Sequence, residues 1–494
     1  MIDNLILGIN AIFQPFNLFA VLLGVTSGVV VGALPGLSAT MGAALVLPFT
    51  FMMEPIPAIS MLSALYCGAI YGGSIPAILI NTPGTPAATI TTLDGYKLSQ
   101  QGKAGKALGT AVIASGIGGL FSVLVLILLA PQVAKIALSF AGPEYFCLAV
   151  FGLSMVTNIQ AGSELKNIIG GLIGLILVTV GIDTLTGFSR FTFGNVNLMS
   201  GIGFIPVMIG LFAAAEIFRL AETWVKTKMD LKSISDLPKF SELWPLRWCI
   251  LRSAVLGTFI GILPAEGGTV ASFMSYNEAK RWSRHPEKFG TGILEGIAAP
   301  ETANNAATGG AMIPTLTLGI PGSSTTAVIL GGLMIQGLRP GPLLFTNQPK
   351  LVYSIFIAMA IANIIFLIIG LYGAKLFAQV ARVPIYILCP IVMVLCFVGS
   401  YALNNNTTDV WIMLISGIVG YYMKKIGFSA APIVLGMVLG KLIEYSFRQS
   451  MNIFDNDLSI FITRPYSATF LFLTIISFCW PMISKLWKNK KINR

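Results

Sequence analysis

The sequence predicts an all-α polytopic membrane protein with about 11–13 membrane segments, some broken or re-entrant, built as two internal repeats of inverted topology. Three observations carry this expectation. Of the 494 residues, 55% are hydrophobic and only 10% charged, with a mean hydropathy of +0.82; apolar stretches so long and so poor in charge are membrane spans. The net charge of +11 is gathered in short basic clusters between apolar runs, the pattern of cytoplasmic loops rather than of a nucleic-acid surface. Finally, a Gly/Pro-interrupted apolar stretch occurs once in each half, and two such interruptions at matching places point to the binding site of a secondary transporter.

The first interrupted stretch is YGGSIPAILINTPGTPAATITT, from Tyr71 to Thr92, and the second is TGGAMIPTLTLGIPGSSTTA, from Thr308 to Ala327. Gly72-Gly73 aligns with Gly309-Gly310, Pro76 with Pro314, and Pro83-Gly84 with Pro321-Gly322, with one residue inserted. Earlier in each half, Gly32-Ala33-Leu34-Pro35-Gly36, followed by Ser38 and Thr40, matches Gly261-Ile262-Leu263-Pro264-Ala265, followed by Thr269. Each half also has a Gln-Gly step, at Gln101-Gly102 and Gln336-Gly337. An open backbone in hydrocarbon is costly, so these interruptions are expected inside protein or beside a polar cavity. The chain divides into a first membrane repeat (1–225), a cytoplasmic linker (226–252) and a second membrane repeat (253–494) with a charged insert at 277–288.

In chain order, the first apolar run (Phe16 to Val31) follows no basic start and reads as retained rather than as a secretory signal. It ends at Pro35-Gly36, and Met41 to Phe51 continues it; neither piece reaches the roughly 20 residues of a standard span, so a re-entrant or broken helix is expected. Ile59 to Ile80 leads straight into the Asn81-Thr82-Pro83-Gly84 interruption. The polar stretch Asp94 to Lys106, with Lys97, Lys103 and Lys106, should face the cytoplasm. Its Gly-Lys steps lack the GxxxxGK[ST] spacing of a phosphate loop, which argues against ATP use. Apolar runs follow to Leu220, then the basic linker, then Ala254 to Leu263 and the PAEGGT break. Beyond the insert, Glu295, Glu301, Asn304 and Asn305 precede the second broken segment; intramembrane acids and amides are site candidates by default. Further apolar runs lead to a basic tail.

The six cysteines form no CxxC and read as packing residues, and the single histidine, His285, leaves no His cluster for a metal or a Ser-His pair. No cofactor motif is present, and the only metal expected is sodium as a coupling ion. A membrane enzyme using Glu301 or Glu266 lacks a nucleophile–base pair, and the remaining alternative is a channel or uniporter, which would conduct without a coupling ion.

The strings GALPGLSATMGAALVLPFTF, AIYGGSIPAILINTPGTPAATITTLDGYKLSQQGKAGKALG and APETANNAATGGAMIPTLTLGIPGSSTTAVILGGLMIQGLRPGPLLF resemble the large membrane subunit of tripartite tricarboxylate transporters, from about Val21 to Phe345. The resemblance implies a permease of the bacterial cytoplasmic (inner) membrane that takes up citrate-like tricarboxylates or other carboxylates by cation symport, driven by Na⁺ or H⁺. It also implies two partners, a small four-helix membrane subunit and an extracytoplasmic solute-binding protein. The residues fit an anion site. Helices starting after Pro83-Gly84 and Pro321-Gly322 would aim free N–H groups at the midplane, so substrate binding is expected at Asn81, Thr82, Gly84, Thr85, Gly322, Ser323, Ser324 and Thr325. Coupling ions are expected near Gly36, Ser38 and Thr40, near Glu266, Gly267 and Thr269, and at Asn304 and Asn305. Capping or interhelical hydrogen bonds explain each of these residues equally well when taken singly.

Overall fold

The computed structural model describes residues 1–159, 163–183, 185–222, 236–264, 267–380 and 383–492. Glu266 and the first part of the expected linker, 226–235, lie outside the described residues. The described residues are predominantly helical, as the bilayer requires of a backbone that must satisfy its own hydrogen bonds. The first half opens with α1 (Ile2–Ile12), α2 (Pro15–Ala33), α3 (Ala39–Thr50), α4 (Pro55–Gly72), α5 (Ser74–Ile80), α6 (Thr92–Gln100) and the long α7 (Ala104–Ala137). It continues with α8 (Gly142–Ile159), α9 (Glu164–Val178), a short antiparallel ladder of β1 (Gly181–Ile182) with β2 (Ser189–Arg190), α10 (Phe204–Met208) and α11 (Ala215–Glu222). A π-helical turn, Ile209–Ala214, joins α10 to α11.

After α12 (Phe240–Leu243), the second half has α13 (Arg247–Ile262), α14 (Gly267–Trp282), α15 (Glu295–Leu318), α16 (Ser324–Ile335), α17 (Pro342–Asn347) and α18 (Pro349–Val380). It closes with α19 (Ile385–Asn404), α20 (Thr407–Lys425), α21 (Ala431–Ile453), α22 (Ile460–Thr463) and α23 (Pro465–Ile492). Among the described residues, seven helices are long and apolar enough to cross a membrane, and four shorter apolar helices accompany them. The chain is a multi-pass membrane protein. The charged insert, 277–288, begins as the last turns of α14, to Trp282, and ends in a 3-10 turn, Pro286–Lys288.

The two halves repeat one motif. In each, a helix, a break and a returning helix form a hairpin, α2–α3 and α13–α14. The outbound helix lies alongside the long helix that follows, in the same direction. Gly24, Gly28 and Gly32 of α2 touch the carbonyls of Met61, Leu65 and Ala69 in α4, and Gly257 and Gly261 of α13 touch Ala303 and Ala307 in α15. Small residues at four-residue spacing let the backbones meet, as membrane packing requires. The next break also matches: Asn81 (φ 56°) and Gly319 (φ 71°) both turn left-handed, and Thr82 N–H and Ile320 N–H reach back to the carbonyls of the equivalent prolines Pro76 and Pro314. The Gln-Gly steps are helix caps, with Gly102 at φ 77° and Gly337 at φ 73°.

The repeats run in opposite directions. α7 lies parallel to α15, with Gly118 against Thr302 and Gly309 against Ser122, but antiparallel to its own equivalent α18, with Gly116 against Leu367 and Gly119 against Asn363. α15 starts where the Gly290, Gly292 and Ile293 amides donate to Asp94 and ends where Leu316 accepts from Gly341. The Asp94–Lys106 and Gly337–Lys350 stretches therefore sit at opposite ends of one helix, about 36 Å apart by helical rise. Each Gln side chain pins the loop that leads into the other repeat's long helix, α15 or α4: Gln101 donates to Thr291 O (2.7 Å), and Gln336 to Thr50 O (3.0 Å) and Met53 O (3.2 Å). One expected break is absent. α15 passes unbroken through Gly309-Gly310 and Pro314, because those glycines serve close packing, Gly309 on Ser122 and Gly310 on Thr258 and Gly261.

Candidate functional site

The hairpin tips and the two Pro-Gly breaks converge on one cavity of about 600 Å³. The α2–α3 tip contributes Gly36, Ser38 and Thr40, the first break Pro83 to Ala87, the α13–α14 tip Gly268 and Thr269, and the second break Ser323, Ser324 and Thr325. The tips cross between repeats. Thr40 and Thr325 hydroxyls share a hydrogen bond of 2.9 Å, and Gly268 of the second repeat approaches Ala87 of the first. Sequence alone assigned the two breaks to substrate and the two tips to coupling ions, with no indication of which would touch.

The second break ends as expected in a helix N-terminus. Ser323 caps α16 by accepting from Thr326 N (3.2 Å), and Thr326 Oγ1 accepts in return from Ser323 N (2.9 Å). The first amides of α16, which have no intrahelical partner, border the cavity with the positive end of the helix dipole. The first break differs. Pro83-Gly84 is followed by a single 3-10 turn, Pro86–Ala88, and α6 starts only at Thr92, so the expected pair of opposed helix N-termini is a single one. Close packing sets that conformation: Gly84 N–H donates to Gly73 O (3.1 Å), and a Cβ on Gly84 would collide with the Gly32 carbonyl. Inside the cavity lining, the hydroxyls of Thr85 and Ser324 are buried and find no hydrogen-bond partner in the protein. Tyr66 joins them, its hydroxyl 3.2 Å from Ser323 Oγ.

Six of the expected residues lie outside the lining. Asn81 is exposed on its left-handed turn, and Thr82 bonds its own turn at Ile80 O (3.3 Å). Gly322 N–H is taken by Thr315 Oγ1 (3.3 Å), and Gly267 packs on Gly261 at the start of α14. Asn304 stands behind Gly268, and Asn305 donates to Glu301 O (3.1 Å).

Three charged residues that sequence reasoning missed complete the cavity: Glu216 and Arg219 on α11, and Lys424 at the end of α20. Glu216 is bracketed by both cations. Arg219 Nε donates to Oε1 at 2.8 Å and Lys424 Nζ to Oε2. The preceding π-helical turn offsets α11 from α10; such turns concentrate at functional sites, but nothing in composition announces one. α10 begins against Gly331 and α11 passes Gly36 at Leu220, so the cluster lies at tip level, toward the end that carries Lys97, Lys103 and Lys106. The lining thus holds two cations, one acid, a helix N-terminus and several hydroxyls: a net-positive, hydroxyl-rich pocket suited to a small anion with several oxygens.

A family model described as "Tripartite tricarboxylate transporter TctA family" matches residues 18–435. The chain is 40% identical over 472 residues to a 52.8 kDa protein of Agrobacterium vitis described by its place in the TAR-I ttuC' 3' region, covering 95% of this chain and 94% of that one. A second Agrobacterium vitis protein, from the TAR-II ttuC' 3' region, is 40% identical over 220 residues, 44% of this chain and 91% of its own length.

Proposed function

The chain belongs to the tripartite tricarboxylate transporter TctA family, and from that membership and the cavity we propose that it is the permease of a binding-protein-dependent importer of citrate-like tricarboxylates or related carboxylates, driven by cation symport. The observation that carries the substrate class is the meeting of Arg219, Lys424, the α16 N-terminus and the cavity hydroxyls around one space of about 600 Å³. Carboxylates are held by such donors, and a net excess of only one fixed positive charge lets the substrate leave again. Seats for the coupling ions are proposed among the oxygens of Gly36, Ser38, Thr40 and Thr269 around the crossed tips. The partners proposed are the small four-helix membrane subunit and an extracytoplasmic solute-binding protein, and the site of action is the bacterial cytoplasmic membrane. The face bearing Lys97, Lys103, Lys106, Lys239 and Lys280 is assigned to the cytoplasm by its basic excess.

The energetics fix the test. One charge crossing about 100 mV costs about 2.3 kcal/mol, so a dianion entering at roughly 150 mV, inside negative, faces about 7 kcal/mol. Symport with three or more cations per dianion makes the cycle electrogenic. In proteoliposomes holding the permease, its small partner and citrate-loaded binding protein, an imposed inside-negative potential should accelerate uptake. Uptake indifferent to the potential would refute electrogenic symport, and uptake needing ATP without an ion gradient would refute symport altogether.

A further inference from the structure

Glu301 sits in the second turn of α15 with none of its surface exposed. Its carboxylate oxygens accept the Thr91 hydroxyl at 2.6 Å and the Ser115 hydroxyl at 3.2 Å. None of the ion pairs among the described residues includes it. Two neutral hydroxyls do not offset the burial of an ionised carboxylate, which requires a countercharge.

The surroundings supply a route to one. One turn further along α15, on the same side, Asn304 is 1% exposed with both side-chain amide atoms unpartnered, and Asn305 Oδ1 is unpartnered as well. Asn304 Oδ1 abuts Gly268, which lines the cavity. From the cavity inward, α15 therefore presents an amide and then a carboxylate. One carboxylate with neutral oxygens matches a singly charged cation; among the described residues there is no group of three or more His, Cys, Asp or Glu that could hold a metal ion more tightly.

We infer that Glu301, with Thr91 and Ser115, is the binding site of one monovalent cation, a proton or sodium, whose occupancy is coupled to transport. This rests on the transport reading of the cavity. The donors come from both repeats, Thr91 and Ser115 from the first and Glu301 from the second, so relative movement of the repeats makes or breaks the set. Two ionisable groups face it from neighbouring elements. Tyr71 on α4 lies within electrostatic range. Asp94 on α6 contacts Gly296, about 7.5 Å down α15 by helical rise, and is already engaged by the Tyr276 hydroxyl and the 290–293 amides. The stretch of α7 around Ser115 carries no charge.

The test uses the purified full-length permease. Its unfolding midpoint is followed while NaCl replaces choline chloride at constant ionic strength, at pH 6 and at pH 8, in wild type, Glu301→Gln, Thr91→Val and Ser115→Ala. If the cation is sodium, wild type is stabilised by Na⁺ at pH 8; if it is a proton, wild type is stabilised at pH 6 whatever the Na⁺. In either case Glu301→Gln loses the wild-type response; Thr91→Val and Ser115→Ala each weaken a sodium response by about tenfold, whereas a proton response is extended to higher pH in both, because each hydroxyl donates to the carboxylate and favours its ionised form. Should Glu301→Gln fail to fold, the two hydroxyl variants decide. Wild-type responses in the folded variants, or no response of wild type to either cation, overturn the assignment. Citrate added to the same samples reads the cavity separately: a missing citrate shift beside a Glu301-dependent cation shift sinks the carboxylate reading and leaves the cation site standing.

Discussion

Neutralising Glu216 should tighten carboxylate binding, while neutralising Arg219 should weaken it. In the cavity Glu216 occupies both cations, so an arriving substrate carboxylate must displace it. A hydrogen bond to a charged group contributes about 1.5–3 kcal/mol when well buried. The Arg219 and Lys424 side chains are 39% and 54% exposed, which places Arg219 at the low end, about 1.5 kcal/mol or about tenfold in affinity, and Lys424 lower still, about threefold. Arg219→Gln should therefore raise the citrate dissociation constant about tenfold, and Glu216→Gln should lower it by a similar factor. The double variant should lie near wild type. Citrate titrations of the thermal midpoint of the purified permease give these constants, and raising the salt to about 1 M, where the screening length falls to about 3 Å, should compress the differences. If Glu216→Gln weakens citrate binding as much as Arg219→Gln does, the cluster is a structural clamp between α11 and α20 and the reasoning fails.

Cysteines introduced at Ser99 and Thr346 should label from opposite sides of the membrane, Ser99 from the cytoplasm; labelling of both from one side would contradict the inverted arrangement. Gly84→Ala should cost about 1–3 kcal/mol or more, because its Cβ meets the Gly32 carbonyl and Gly73 with no room to repack. Gly102→Ala, with open space but a φ of 77°, should cost only about 1 kcal/mol, and yields of folded protein after detergent extraction rank the two. In the segment between α9 and α10, the Asp183 carboxyl is held well below its usual range by the Thr186 hydroxyl, by Arg448 and by the Leu185 amide. A depressed carboxyl stabilises above its unfolded pKa and loses that contribution as pH falls through its folded value. Below about pH 4, wild type should therefore lose stability that Asp183→Asn lacks from the start, and midpoints compared at pH 7 and pH 3 check it.

Much of this architecture was legible because its grammar is local. Gly102 and Gly337 cap helices, Asn81 and Gly319 turn left-handed, and Pro76 and Pro314 receive the returning amides, all at positions the internal alignment had paired. Such features depend on backbone conformations that particular residues favour. What stayed hidden depends on tertiary packing. Gly309-Gly310 reads in sequence like an interruption, yet in α15 it is a contact surface for α7 and α13. Pro83-Gly84 reads like its counterpart, yet Pro86 and the tight seat of Gly84 allow only a 3-10 turn. Glu216, Arg219 and Lys424 carry no motif at all and meet only because a π-helical turn and a helix end lie at tip level.

The crossed packing of the repeats also dictates an order of assembly during synthesis. Ser115, Gly118 and Ser122 on α7 lie against α15, and Asp94 is satisfied by the 290–293 amides, so a first half newly inserted into the bilayer holds polar groups whose partners do not yet exist. Those partners lie about 180–200 residues downstream, which at roughly 5–20 residues per second is about 10–40 s of translation. During that interval the α6–α7 face of the first repeat stays open toward the missing α15, so the two halves are expected to complete their packing together.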